Sequence, residues 1–136
     1  MNPLHTKFFQ YLEDIGEQKI PLEVKLLNLD KFELTSDDLH VKEDLNLSKT
    51  SLTSLPDGLK VDGNLDLSRC TNLTSLPDNL EVGGYLALYG CTSLTSLPDG
   101  LKVGGILDVR KTFLASKFLF RIRRMVPGVK GKIWRK

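Results

Sequence analysis

The residues of this chain with chemistry to offer are few: two cysteines, two histidines, a row of aspartates, a pair of tyrosines and a run of cations. Cys70 and Cys91 belong to no CxxC motif, and no histidine lies near either at zinc spacing. They read as small buried thiols, with a disulfide or redox switch as the alternative, and they favour a reduced, cytoplasmic setting. Asp57, Asp78 and Asp99 recur periodically, but a calcium-binding repeat needs several ligands per turn, and each turn here offers one acid suited to capping backbone N–H groups. His5 and His40 are far apart, and no GxSxG, HExxH, phosphate loop or dinucleotide fingerprint occurs. The expectation is a non-enzymatic protein with no catalytic residue, no metal and no cofactor.

Charge is unevenly distributed. Residues 1–109 carry 9 Lys and Arg against 17 Asp and Glu, whereas residues 110–136 carry 10 Lys and Arg and no acid. An acidic body with a basic tail points to charged partners. No run of apolar residues reaches membrane-spanning length. The opening segment MNPLHTKFFQYLEDIGEQK is amphipathic and carries acids, unlike a signal peptide.

The positions that must hold these groups repeat. LTSLPDGLKV starts at Leu52, returns as LTSLPDNLEV at Leu73 and again as LTSLPDGLKV at Leu94. Aligned on Val-x-x-x-Leu-x-Leu, the copies fall at Val41, Leu45, Leu47; Val61, Leu65, Leu67; Val82, Leu86, Leu88; and Val103, Leu107, Val109. A degenerate copy follows at Val129, Gly131 and Ile133 after a longer gap. Such a period means stacked units that share one core, because a single unit has too little apolar surface to fold alone. The alternating leucines predict a short strand with both side chains on one face. Gly83-Gly84 and Gly104-Gly105 predict a tight turn before it, and Leu-Pro-Asp-Gly predicts another after it.

The spaced letters LxLxxCxxLTSLP resemble a leucine-rich repeat in a short bacterial or phage-like form, and LTSLP is similar to the repeats of bacterial effector proteins. The resemblance covers roughly residues 34–116. It implies an α+β repeat fold, a short leucine-rich-repeat-like solenoid of about four to five rungs with a helix at each end, and a strand face used for protein binding. Two departures stand out. Asp62, Gly83 and Gly104 replace the leucine expected three residues before the first strand leucine, and the effector family's ligase domain has no counterpart here. A β-solenoid with two or three short strands per coil is the structural alternative.

The expected organisation is an N-terminal helical cap over 1–33, the repeat stack over 34–112, and a basic C-terminal helix with a closing strand over 113–136. In the cap, Asn2 and Pro3 start a helix whose apolar stripe is Leu4, Phe8, Tyr11, Leu12 and Ile15, and Gly16 ends it. At the other end, residues 114–126 fit a helix stopped by Pro127-Gly128.

Two surfaces compete for function. On the strand face, Asn64, Asp66, Tyr85, Ala87, Tyr89, Ile106, Asp108 and Arg110 flank the core leucines; exposed Tyr and Arg are common interface anchors. This face implies a protein partner of undetermined identity, and the protein would act as a binding module, a small inhibitor or an effector. The second surface is the basic set Lys117, Phe120, Arg121, Arg123, Arg124, Lys130 and Lys132, which suits nucleic-acid phosphates with Phe120 or Trp134 for stacking, or docking on an acidic protein, including another copy's acidic body. Nucleic acid ranks second, because the segment lacks a known binding signature. No membrane partner is expected, and monomer and homodimer both remain open.

Overall fold

A computed structural model describes residues 22–28, 34–116, 122–124 and 126–136. The chain divides into two compact units, residues 1–33 and 34–136. Within the first, helix α1 spans Leu22–Leu27 and buries Leu26. The expected helix over residues 2–16 lies outside the described residues.

The second unit is a solenoid of stacked parallel strands with a period of about 21 residues. It opens with a single helical turn, α2 (Ser36–Leu39). Thr35 caps that turn: its hydroxyl accepts from the Asp38 amide, and its own amide donates to the Asp38 carboxylate. Each coil then contributes two short strands to two separate parallel sheets. The first sheet holds β1 (His40–Val41), β3 (Lys60–Val61), β5 (Glu81–Val82), β7 (Lys102–Val103) and β9 (Gly128–Val129). The second holds β2 (Leu45–Asn46), β4 (Leu65–Asp66), β6 (Leu86–Ala87), β8 (Leu107–Asp108) and β10 (Ile133–Trp134). Two strands per coil is the β-solenoid arrangement held as the alternative.

Register follows the sequence columns. Val41, Val61, Val82, Val103 and Val129 pair in succession along the first sheet. Leu45, Leu65, Leu86, Leu107 and Ile133 do so along the second. Leu47, Leu67, Leu88 and Val109 point inward beside them, and Leu59, Leu80 and Leu101 fill the turn into the first sheet. All but the half-buried Val41 are buried, and each fully buried aliphatic side chain contributes about 1.5–3 kcal/mol relative to exposure.

The glycine pairs lie at the bend before the second strand of their coils, as expected, but positive φ is not the reason for them. Gly83 and Gly104 are absent from the residues with positive φ. A Cβ at Gly83 would run into the Asp62 carbonyl, and one at Gly104 into the Gly83 carbonyl. Close approach of one coil to the next is therefore what demands glycine. The Leu-Pro-Asp turns also differ: the backbone closes them, with Leu80 donating to Pro77 and Leu101 to Pro98. Among the described residues the Asp57, Asp78 and Asp99 side chains make no hydrogen bond, so the expected aspartate cap does not form.

The C-terminal segment departs from one continuous helix. Phe113–Ser116 is a 3-10 turn that buries Leu114, and residues 122–124 are helical. Ile122 and Val126 are buried, and the Val126 amide donates to the Ile122 carbonyl. Residues 117–121 and 125 lie outside the described residues. No helix among the described residues is long and apolar enough to cross a membrane.

Candidate functional site

The second sheet's outer surface carries three columns, one residue per coil, about 4.8 Å apart along the stack. Flanking the core leucines on one side are Asp44, Asn64, Tyr85, Ile106 and Lys132. In the middle are Asn46, Asp66, Ala87, Asp108 and Trp134. Ser48, Ser68, Tyr89 and Arg110 follow two residues later.

The early coils use their polar residues internally. Asp44 accepts from the Asn64 amide, and Asn64 accepts from the Tyr85 amide, tying each coil to the next. Asn46 and Asp66 accept from the amides of Ser48 and Ser68, two residues on. Asn64 and Asp66 were expected as partner contacts, and the structure places them in this bonding.

The later coils build a surface. Tyr85, Ala87, Ile106, Asp108 and Trp134 line an apolar recess of about 170 Å³. An apolar cavity of about 150 Å³ accommodates a benzene-sized group, so this recess suits one apolar side chain. Tyr85 and Trp134 stand 42% and 43% exposed at its rim, on either side of the coil that carries Ile106 and Asp108. Beside it runs an alternating stack. The Arg69 guanidinium lies 5.9 Å from the Tyr89 ring, and Arg110 lies 5.4 Å from Tyr89 and 5.1 Å from the Trp134 ring.

Asp108 organises that stack. It is 8% exposed, and its carboxylate takes a forked pair of hydrogen bonds from Arg110 at 2.9 and 2.8 Å. That contact raises the Arg110 pKa above its ordinary value. Asp108 was expected at the contact surface; its place is beneath it, fixing the cation between two rings. Trp134 was expected only as a stacking aromatic of the basic tail; because Ile133 continues the leucine column, the structure places Trp134 next to Asp108 instead.

The alternative basic set is divided. Lys117, Phe120 and Arg121 lie outside the described residues. Arg123 donates to the carbonyls of Val129 and Gly131, holding the last turn of chain. Arg124, Lys130 and Lys132 are exposed.

No protein-family model, curated protein or solved structure matches the chain. The site's capacity is therefore read from its own chemistry.

The cysteines are free and buried. The Cys70 and Cys91 thiols donate to the carbonyls of Leu47 and Leu67 at 3.0 Å. Thr50 and Thr112 fill the equivalent places at either end, their hydroxyls bonding to Leu47 and Val109. Burial pushes the Cys91 pKa up from 9.0 to about 11, away from thiolate chemistry. Among the described residues no cluster of three acidic, histidine or cysteine side chains suits a metal ion.

Proposed function

We propose that this protein is a non-enzymatic binding module that engages a protein partner through the second sheet, with Tyr85, Tyr89, Ile106 and Arg110 at the contact and Trp134 added to them. The observation that carries this reading is the apolar recess between Tyr85, Ile106 and Trp134. Rigid aromatics around a cavity that admits one side chain are the usual composition of an interface hot spot. Asn64, Asp66, Ala87 and Asp108 shape and support that surface. In this reading the protein is a short leucine-rich-repeat-type module that acts by occupying its partner's surface, as a small inhibitor or effector does. The recurrent LxLxxCxxLTSLP segment supports the family assignment. Two unpaired, buried cysteines are in keeping with a reducing cytoplasm.

The test is capture from nuclease-treated lysate with the wild type and a Tyr85→Ala/Tyr89→Ala variant, at low and high salt. Truncating a central tyrosine in an interface costs ~2 kcal/mol or more. A protein partner held by the wild type and lost by the variant is the expected result. Retention by the variant would remove this face from consideration. Recovery only at low salt and only without nuclease would move the function to the basic C-terminal residues.

A further inference from the structure

A fourth column borders the second sheet: Lys49, Arg69, Gly90 and Lys111. The amide of Lys49 donates to Ser68, that of Arg69 to Tyr89 and that of Gly90 to Arg110, so the positions stack coil upon coil. Each adopts left-handed backbone, with φ of 59°, 60°, 74° and 58°. Glycine takes that conformation freely, whereas other residues are disfavoured there. Three of the four positions nevertheless carry a long cation. Lys49, Arg69 and Lys111 are exposed, and none meets a carboxylate at ion-pair distance among the described residues. Gly90 has a reason of its own: a Cβ there would lie 3.3 Å from Cγ of Arg69, whose side chain reaches across toward Tyr89.

Several charges on the first sheet are paired. On the first sheet Glu81 sits between Lys60 and Lys102 at 3.7 and 3.4 Å, and Asp62 holds His40 at 3.0 Å. The unpaired cations border the column of Tyr89 and Arg110, which separates them from the recess. From Lys49 to Lys111 is three coil steps, about 14 Å, a distance that four to five extended residues cover at ~3.3 Å each.

We infer that the partner presents an acidic segment, which lays carboxylates along Lys49, Arg69 and Lys111 and seats one apolar side chain in the recess between Tyr85, Ile106 and Trp134. This rests on the protein-binding reading and specifies the partner's chemistry. Apolar burial supplies the anchor, and the column of cations selects charge and direction.

The probe is a displayed library of short random peptides, selected against the wild type, against Lys49→Gly/Arg69→Gly/Lys111→Gly, and against Tyr85→Ala/Tyr89→Ala. The glycine variant removes charge while relieving the left-handed backbone, so loss of binding is not loss of fold. Enriched peptides should carry several Asp or Glu around one Leu, Ile or aromatic residue. Their affinity should fall about tenfold in the glycine variant and with added salt. Trp134, the single tryptophan, should change emission on binding. Neutral or basic peptides that lose binding only with the tyrosines would overturn the acidic assignment and leave the face intact. Acidic peptides that bind without altering Trp134 emission would overturn the recess as the anchor. Enrichment insensitive to both variants, or none, would overturn both proposals. A wild-type dimer dispersed by the glycine variant would replace the acidic segment with a second copy of this chain.

Discussion

The two sheets share one core but treat their outer faces differently. On the first, neighbouring coils alternate sign, with Lys60, Glu81 and Lys102 in sequence and His40 against Asp62. The row beside them narrows to Gly83 and Gly104, whose coils touch backbone to backbone. On the second, acids and amides give way along the stack to Tyr85, Tyr89, Ile106 and Trp134, and the cations at its border stay unpaired. Parallel stacking repeats each position every ~4.8 Å, so any column either neutralises itself or accumulates a property. The first sheet takes the former course and the second the latter. That difference is the ground on which the proposed function assigns recognition to the second sheet.

The largest expected effect erases both faces together. Leu86 is fully buried between them, and Leu86→Ala should cost ~2–5 kcal/mol, read as a fall in denaturant midpoint. Next, Gly104→Ala forces a Cβ against the Gly83 carbonyl and should cost ~1–3 kcal/mol through the first sheet. Trp134 emission, which reports the second sheet, should stay near wild type in the native state of that variant; a shifted spectrum would mean that the faces are not independent.

A smaller effect tests the shared interior. Cys91 keeps its proton more tightly folded than unfolded, because its pKa rises from 9.0 to about 11. Its contribution to stability is therefore complete below pH ~9 and is lost as pH rises toward about 11. Cys91→Ser should flatten that alkaline decline in a pH series of unfolding midpoints. The smallest effect belongs to the first sheet's charges. Lys60→Ala or Lys102→Ala should change stability by only a few tenths of a kcal/mol, since exposed ion pairs contribute little. Arg69→Gly should instead stabilise by up to about 1 kcal/mol by relieving the left-handed backbone.

The core of this fold was legible in the sequence because its columns are spelled with Val and Leu at a fixed step. Both alignments, through Val61 and through Leu65, became strand registers. The second strand of each coil was less visible, since Lys60-Val61 contributes one inward residue and no alternation. The column at Lys49, Arg69 and Lys111 went unnoticed because its signal is conformational; Gly90 alone hinted at positive φ. Trp134 was read with the basic tail and not with the strand face, because the longer step to Val129 interrupts the period. The segment over 114–126 carries a helical stripe, but it begins as a 3-10 turn in which Thr112 accepts from the Leu114 amide. Short-range polar bonding there prevailed over periodicity.

The central claim is that the second sheet, and not the first, is the working surface. The most direct measurement is the dissociation constant of the captured partner for the wild type, Tyr85→Ala/Tyr89→Ala and Lys60→Ala/Lys102→Ala. The account predicts at least ~30-fold weaker binding for the tyrosine variant, from a ~2 kcal/mol loss, and a first-sheet variant indistinguishable from wild type. Equal losses in both variants, or a loss confined to Lys60 and Lys102, would contradict it.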